Sequence, residues 1–371
     1  MGINMSTTIT APSRYIQGKG EIYNIPQRVK GYGKSFTLLI DSFILDHYGD
    51  KIRDSFVQHD LSMRFITFNG ECTDKEINRL EKEAAGSDAI IGLGGGKTLD
   101  TVKAAAYSLH IPVIIFPTIA SSDAPCSALS AVYFEDGTFD KYLFFPVNPN
   151  CVIVDTQVVA DAPVRLLVAG MGDSLATYFE ARATLKSNST TMAGGLSTLA
   201  AQNMAKLCYE TLLEDGFKAK IAVSNHTVTK SVENIIETNT YLSGIGFESG
   251  GLAAAHAIHN GLTAIEGTHS FYHGEKVAFG TIVQLALENA YLDELHEVAT
   301  FCISVGLPIT FADLGIKDVT IQQLTQAAEL ACDPNDTMGN MPFDISVDDV
   351  VTAFYTANMV GEKLKAKLNA D

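Results

Sequence analysis

The stretch AIIGLGGGKTLD, residues 89–100, decides the fold. An apolar run that ends in glycines and continues into a helical pattern is typical of a strand, a tight turn and a helix N-terminus. Glycines tolerate positive φ and let a diphosphate approach the backbone, while a helix N-terminus offers unpaired N–H groups and partial positive charge. The stretch therefore predicts a diphosphate-binding loop. The alternative is a structural turn that only packs the helix on the strand.

Two named phosphate-binding motifs come close to this glycine loop without matching it. A Walker A loop needs glycine at the position of Ile91, five residues before Gly96. The dinucleotide fingerprint GxGxxG needs glycine three residues after Gly94, where the chain has Lys97. The missing Walker A glycine argues against a phosphotransferase of the P-loop type, and the loop is a GGGK variant.

Around this loop, short β-branched runs alternate with amphipathic stretches up to about residue 160, which predicts a parallel sheet wrapped by helices. The predicted strands are Phe36 to Asp41, Met63 to Phe68, Ala89 to Leu93, Pro112 to Pro117, Ser130 to Phe134 and Val152 to Val154. The predicted helices between them are Asp74 to Ala85 and Thr98 to Leu109. Beyond Pro163, long Ala/Leu/Glu-rich segments predict helices throughout. We expect a nucleotide-binding α/β domain over residues 1–162, an all-α domain over residues 163–371, and an active site in the cleft between them.

Composition and charge narrow the class of protein. The chain has 371 residues, of which 46% are hydrophobic, so it is long enough for two folded domains. A formal net charge of −17 repels phosphate backbones and anionic membranes, so we expect neither nucleic acid nor membrane as a partner. The six cysteines are dispersed, the N-terminus lacks a signal-peptide pattern, and no run of about 18 apolar residues occurs. These features predict a cytoplasmic enzyme with reduced thiols.

Polar residues follow two of the predicted strands, at the end where open α/β sheets bind ligands. Asp41 ends the first strand, where a carboxylate can accept hydrogen bonds from ribose hydroxyls and repel a 2′-phosphate, which favours NAD over NADP. Its alternative role is a helix N-cap before Ser42. The segment from Pro117 to Ser127 is rich in hydroxyls and includes Asp123; its alternative role is an ordinary turn.

Four of the nine histidines fall in one short stretch of the helical half, which suggests a metal site or catalysis. His256 and His259 are spaced i, i+3, and His269 and His273 are spaced i, i+4, so each pair can share a helix face. Asp173 is predicted to open an apolar helix, either as an N-cap or as a partner of two histidines in a three-ligand metal site with an open fourth position. The alternative for the histidines is helix packing.

Several of these segments are similar to motifs of the iron-type (group III) alcohol dehydrogenase superfamily, and within it to the glycerol dehydrogenase family. The most specific segments are residues 92–100, 117–133, 170–182, 241–259 and 272–276, and the resemblance begins near Arg14 and extends to the C-terminal helices. It implies a dehydroquinate-synthase-like architecture, with a Rossmann-like parallel sheet followed by an all-α domain. It also implies NAD-dependent oxidation of a small polyol, with glycerol going to dihydroxyacetone by metal-assisted hydride transfer. Another small diol or hydroxyketone is the alternative substrate.

The resemblance also assigns residues. Asp173, His256 and His273 are implied to bind zinc, with iron(II) as the alternative metal, and Asp123 is implied to orient the substrate. The implied NAD contacts are Asp41, Gly94, Gly95, Gly96, Lys97, Thr98, Leu99, Asp100, Thr118, Ser121, Ser127, Leu129 and Tyr133. His259 is expected to support the metal site from behind the ligands. A symmetric homo-oligomer, such as an octamer, is expected from the family.

One alternative of a different class stays open on the residues alone. A metal-dependent hydrolase or lyase would use the histidines and Asp173 to activate water and the glycine loop to bind a substrate phosphate. Failure of NAD to bind would favour this reading.

Overall fold

The structure, a computed structural model, describes residues 6–368. Residues 1–5 of the first predicted domain and residues 369–371 of the second therefore lie outside the described residues. The strands are β1 (Tyr15–Gly18), β2 (Ser35–Ile40), β3 (Ser62–Thr67), β4 (Ala89–Gly94), β5 (Val113–Pro117), β6 (Leu129–Tyr133), β7 (Phe139–Phe144) and β8 (Cys151–Asp155). The α-helices are α1 (Glu21–Val29), α2 (Ser42–Gln58), α3 (Asp74–Ala84), α4 (Gly96–Leu109), α5 (Thr156–Asp161), α6 (Val164–Ser187), α7 (Leu199–Val223), α8 (Lys230–Glu237), α9 (Ser243–Gly250), α10 (Ala254–Leu262), α11 (His273–Leu287), α12 (Leu292–Val305), α13 (Ile321–Ala331) and α14 (Val347–Leu368).

Six strands form one parallel sheet in the order β1-β8-β5-β4-β2-β3. Its central strands are near-continuous apolar runs because a parallel sheet is covered by helices on both faces. Core side chains include Phe36, Leu38, Ile91, Ile114 and Ile153, all almost inaccessible to solvent. The predicted parallel α/β sheet is confirmed.

The strand order brings the predicted ligand-binding segments together. Strands β2, β4 and β5 are neighbours, so the residues that follow them meet at one edge of the sheet. Asp41 N donates to Leu93 O at 3.1 Å, and Thr118 N donates to Gly94 O at 3.1 Å. The glycine loop is therefore flanked by Asp41 on one side and by the segment that begins at Thr118 on the other.

Part of the strand assignment was wrong. The predicted strand from Ser130 to Phe134 does not join the parallel sheet, because β6 pairs antiparallel with β7 in a separate two-stranded sheet. Strands β1 and β7 were not predicted. The short run Tyr15–Gly18 has one aliphatic side chain and only intermediate burial, so it carries no clear periodic signal.

The chain divides into two units. The sheet unit contains Thr10–Leu167 and Ile221–Gly244, and the helical unit contains the described residues of Met1–Ile9, Val168–Lys220 and Ile245–Asp371. The predicted boundary lies between residues 162 and 163, and one of the divisions between the units falls after Leu167. The segment Ile221–Gly244 returns to the sheet unit. The helical pattern of the sequence beyond Pro163 does not predict this return. Within residues 6–368, no helix combines the length and apolarity that a membrane crossing requires.

Candidate functional site

Three helices each carry one of the predicted metal ligands, and all three ligands lie in the helical unit. Asp173 lies well inside α6, His256 lies in the first turn of α10, and His273 is the first residue of α11. The expectation that Asp173 opens a helix was wrong, because α6 begins at Val164. An N-cap role for this carboxylate is thereby excluded, and a buried charge in the middle of a helix needs another explanation.

Small residues beside the ligands let these helices approach closely. A Cβ atom at Gly274 would lie 1.9 Å from Ala169 O on α6, and a Cβ at Gly172 would lie 2.3 Å from Gly274 O. Between α10 and α11, a Cβ at Gly280 would lie 2.5 Å from Ala255 O. Because only glycine permits such contacts, Gly172 next to Asp173 and Gly274 next to His273 bring the two ligand side chains together.

The geometry of the three side chains fits a metal site. Asp173 Oδ1 lies 3.3 Å from His256 Nε2 and 3.0 Å from His273 Nε2. One ligand atom from each of the three residues lies within 4.8 Å of the others. Tetrahedral zinc with Zn–N distances of about 2.0–2.1 Å separates its ligand atoms by about 3.3 Å. One buried carboxylate and two imidazoles therefore suit a divalent transition metal.

The charges at the site favour an ionised carboxylate. Burial opposes ionisation of Asp173, but the charge of His273 and the hydrogen bond from His256 hold its pKa well below the usual range. Burial also disfavours the charged form of His256, yet Glu180 and Asp173 outweigh it and raise the pKa of His256 well above its usual value. A cation is thus favoured beside Asp173 and Glu180, whether it is a proton or a metal ion.

Glu180 contacts a predicted metal ligand and was not identified from the sequence. It is fully buried on α6, and its Oε2 lies 2.6 Å from His256 Nδ1. Its Oε1 accepts hydrogen bonds from the backbone N–H groups of Ala253 and His256, both at 2.9 Å, and so caps α10. A carboxylate behind a ligand histidine fixes the ring orientation. The available signal was its spacing, since Glu180 lies seven residues after Asp173 and so faces the same side of α6.

The other two histidines of the cluster have different surroundings. His259 is buried, and its Nε2 lies 3.0 Å from His273 Nδ1. Burial, followed by the charges of His273 and Lys276, lowers the pKa of His259 well below its usual value. His269 lies outside both helices, and its Nε2 faces Thr263 O at 2.9 Å. The expectation that His269 and His273 share a helix face was wrong, because α11 begins only at His273.

The glycine loop of the sheet unit joins β4 to α4. Its N-cap residue, Gly95, has no side chain, so no capping group stands before the first N–H groups of α4. A Cβ at Gly96 would meet nothing within 4 Å, whereas a Cβ at Gly94 would lie 2.6 Å from both Asp41 Oδ2 and Thr98 Oγ1. The open space at Gly96 and the helix N-terminus fit the diphosphate of a dinucleotide.

Asp41 occupies the N-cap position of α2, but its side chain faces the glycine loop and makes no capping hydrogen bond. Its Oδ1 accepts a hydrogen bond from Thr98 Oγ1 at 2.5 Å, and its Oδ2 accepts one from Gly95 N at 3.2 Å. Burial raises the pKa of Asp41, and these two hydrogen bonds partly offset that shift. The N-cap position is therefore confirmed, whereas the carboxylate itself bonds to the glycine loop and not to the N–H groups of α2.

Two of the predicted NAD contacts lie at the outer side of the loop. Lys97 is exposed, with its Nζ 2.5 Å from Glu71 Oε2 and 5.3 Å from the centre of the Tyr133 ring. Leu99, by contrast, is fully buried in α4. The Lys97 side chain is thus accessible beside the Tyr133 ring, whereas the Leu99 side chain is not accessible to solvent.

Asp100 forms part of a buried bridge and does not face the loop. Its Oδ2 accepts a hydrogen bond from Ala131 N at 3.1 Å, and its Oδ1 lies 3.3 Å from Lys103 Nζ. Lys103, which the sequence analysis missed, donates to Ala124 O at 2.6 Å and to Leu129 O at 3.0 Å. The bridge thereby holds both ends of the segment that contains Ser127. A lysine three residues after Asp100 was the available signal.

Asp123 is held against the segment that returns to the sheet unit. Its Oδ2 accepts a hydrogen bond from Ser243 Oγ at 2.8 Å. Ser243 follows a π-helical turn, Thr238–Leu242, of a kind frequent at functional sites. In the same turn, Asn239 Nδ2 donates to Ala120 O at 2.9 Å. The loop around Asp123 is thus fixed by residues far along the chain, which a local sequence pattern does not reveal.

The remaining predicted NAD contacts lie along the segment that begins at Thr118 and contains Asp123. Thr118 and Ser127 are buried, and Ser121 and Leu129 are partly exposed. Ser127 Oγ donates to Ala124 O at 3.0 Å, so it stabilises its own loop. The segment that begins at Thr118 lies beside the glycine loop, as the order of β4 and β5 requires.

Comparison with known proteins agrees with this architecture. Residues 12–156 match the family model described as iron-containing alcohol dehydrogenase. Over its full length the chain is similar to a glycerol dehydrogenase from Pseudomonas putida, with 51% identity over 96% of this chain and 99% of that relative. A glycolaldehyde reductase from Halobacterium salinarum is 42% identical over 97% of this chain and 100% of its own length. The crystal structure of glycerol dehydrogenase from Schizosaccharomyces pombe superposes with a TM-score of 0.95 at 38% identity, covering 99% of this chain and 94% of the other.

The chain belongs to the iron-containing alcohol dehydrogenase family. Its similarity to glycerol dehydrogenases of almost equal length confirms the family that the motifs indicated. The fold and the family prediction are therefore both confirmed.

Proposed function

We propose that the protein is a metal-dependent glycerol dehydrogenase that oxidises glycerol to dihydroxyacetone with NAD as hydride acceptor. The observation that carries the proposal is the convergence of Asp173, His256 and His273 at the meeting point of three helices. A divalent metal there would lower the pKa of a substrate hydroxyl and polarise the product ketone. Membership of an alcohol dehydrogenase family favours hydride transfer over the hydrolase or lyase alternative.

The three proposed ligands have complementary roles. Asp173 supplies a buried negative charge, and His256 and His273 each turn Nε2 toward it. Glu180 accepts the Nδ1 hydrogen of His256, which leaves the Nε2 lone pair of that ring available to a metal. Zinc is the proposed metal, and iron(II) is the alternative that the same donor set accepts.

NAD is proposed to bind the sheet unit. The N–H groups at the start of α4 would hold the diphosphate, and Asp41 would accept hydrogen bonds from the ribose hydroxyls and disfavour a 2′-phosphate. The other proposed contacts are Gly94, Gly95, Gly96, Lys97, Thr98, Leu99, Asp100, Thr118, Ser121, Ser127, Leu129 and Tyr133. Leu99 and Asp100 would act through the backbone or through the loop that they hold, since both side chains are buried.

Asp123 is proposed to orient the substrate by accepting a hydrogen bond from one of its hydroxyls. The carboxylate is buried, and Ser243 fixes its orientation. A carboxylate beside the substrate would repel a phosphate ester, so an uncharged polyol fits better. Glycolaldehyde or another small hydroxycarbonyl is the second candidate substrate, because a relative at 42% identity is a glycolaldehyde reductase. A cytoplasmic location and a homo-oligomer, such as an octamer, are part of the same proposal.

The test measures absorbance of NADH with purified protein, NAD and glycerol, before chelation, after chelation and after zinc is restored. We expect NADH production that is lost on chelation and returns with zinc. The same assay with 1,2-propanediol, and with glycolaldehyde and NADH in the reverse direction, ranks the substrates. NADH production that is unaffected by complete metal removal would contradict the metal-dependent mechanism.

A further inference from the structure

His273 begins a hydrogen-bond chain that leads away from the proposed metal site. Its Nδ1 lies 3.0 Å from His259 Nε2, and His259 Nδ1 lies 3.0 Å from Asn260 Oδ1. Asn260 Nδ2 then donates to Asp336 Oδ2 at 2.8 Å. All four residues belong to the helical unit, and we call this series the His273–Asp336 chain.

The Asp336 carboxylate, at the far end of the His273–Asp336 chain, determines the direction of every hydrogen bond in that chain. A carboxylate only accepts hydrogen bonds, so the amide nitrogen of Asn260 must face Asp336 and the amide oxygen must face His259. Because that oxygen can only accept, His259 carries its hydrogen on Nδ1. The Nε2 of a neutral His259 is then an acceptor.

The direction of these hydrogen bonds also determines the tautomer of His273. Its Nδ1 must donate to His259 Nε2, which leaves the lone pair of a neutral His273 ring on Nε2. That atom lies 3.0 Å from Asp173 Oδ1, on the side of the proposed metal. Metal binding requires a neutral imidazole with its lone pair directed at the ion.

Asp336 is itself held in place. Its Oδ1 accepts a hydrogen bond from Thr337 N at 2.6 Å. Thr337 Oγ1 in turn donates to Ala253 O at 2.6 Å, at the residue that precedes α10. The carboxylate is thereby anchored to the helix that carries His256 and His259.

We infer that Asp336 sets the tautomer of His273 through Asn260 and His259. Asp336, Asn260 and His259 are then positioning residues for the metal site. The inference rests on the proposed function in taking His273 as a metal ligand. The two ligand histidines are then oriented by different means. Glu180 contacts His256 directly, whereas Asp336 acts on His273 through two intervening side chains.

The experiment compares zinc affinity, measured by competition with a chromogenic chelator, for wild type and Asp336→Asn. Asparagine can still cap Thr337 and bond to Asn260, but it offers both a donor and an acceptor and no longer enforces one direction. We expect weaker zinc binding with an unchanged melting temperature of the metal-free protein. The matched control is Asp333→Asn, since the Asp333 side chain bonds only to Asn335 among the contacts described and the residue lies in the same loop. Its zinc affinity should equal that of wild type.

A second pair of variants tests His259, in the middle of the His273–Asp336 chain. His259→Leu removes the acceptor for His273, and we expect zinc affinity to fall about 10–100-fold. His259→Gln keeps one acceptor and one donor, so it should recover most of that loss. Equal affinity in wild type, Asp336→Asn and His259→Leu would overturn the inference while leaving the metal site intact. Failure of wild type itself to bind zinc or iron(II) would overturn the metal site as well. If His259→Leu does not fold, the comparison of Asp336→Asn with Asp333→Asn decides.

Discussion

Glycine serves opposite purposes in the metal site and in the glycine loop. At the metal site, neighbouring backbone leaves no space for a side chain at Gly172 or Gly274, because an added Cβ would lie about 2 Å from an oxygen atom. In the glycine loop, a Cβ at Gly96 would meet nothing within 4 Å. The first arrangement brings side chains of separate helices together, and the second leaves room for a ligand beside the backbone. The same residue type thus marks packing in one unit and access in the other.

The largest effect is expected from loss of a proposed ligand. His256→Ala removes one of two imidazoles and also leaves the buried Glu180 carboxylate without its ring partner. We expect NADH production from glycerol to fall to background and zinc to be lost, with the helical content in circular dichroism retained. Activity at the wild-type level with full zinc occupancy would remove His256 from the ligand set.

Gly274→Ala tests the packing side of the comparison. Elsewhere in a helix, alanine stabilises relative to glycine by about 0.5–1 kcal/mol. Here the new methyl group would collide with Ala169 O, so we expect the free energy of unfolding to fall by about 1–3 kcal/mol. Chemical denaturation measures the change, with Gly339→Ala as control because its Cβ would meet nothing within 4 Å. Equal stability of the two variants would contradict the close approach of α6 and α11.

Glu180→Gln asks how much the buried carboxylate contributes. Glutamine has one acceptor oxygen, so it cannot serve both the backbone N–H groups of α10 and the Nδ1 hydrogen of His256. We expect zinc affinity to fall about 10–100-fold. Chelator competition measures it. Unchanged affinity would mean that packing alone orients His256.

Gly96→Ala tests the access side of the comparison. The added methyl group would enter the space proposed for the diphosphate without touching protein. We expect the KM for NAD to rise about tenfold, the equivalent of roughly 1.4 kcal/mol, while stability stays the same or rises slightly. Steady-state kinetics and thermal unfolding together decide. A loss of stability with an unchanged KM would assign the glycine to packing, as at Gly274.

The smallest effect is expected at Asp41. Replacing it by glycine removes the charge that repels a 2′-phosphate, so activity with NADP should rise relative to activity with NAD. The carboxylate also holds Gly95 N and Thr98 Oγ1, so total activity should fall moderately. Rates with each cofactor at subsaturating concentration give the ratio. A ratio equal to that of wild type would leave Asp41 as a loop-holding residue only.

The sequence predicted contiguous features well and dispersed features poorly. Strand β4, the glycine loop and α4 are continuous in sequence, so periodicity and glycine spacing located them closely. Strand β6 was predicted but assigned to the parallel sheet, because a strand pattern does not specify its partner, and its antiparallel partner β7 was not predicted.

In the site, the residues with recognisable chemistry were predicted and those that hold them were not. Asp173, His256 and His273 were named from the sequence and its resemblance, and the structure brings them together. Glu180 and Lys103 were missed, because a buried charged residue in a helix looks like a surface residue until its partners are known. The spacing of Glu180 from Asp173 and of Lys103 from Asp100 was the available signal, but only the tertiary contacts show which residues the two side chains hold.

The most direct test of the proposed metal site is the zinc content of wild type and of the double variant His256→Ala/His273→Ala, after metal removal, reloading with zinc and gel filtration. We expect one zinc ion per wild-type chain and none in the folded double variant. One zinc ion per chain retained in both proteins would contradict the metal site on which the proposed function depends.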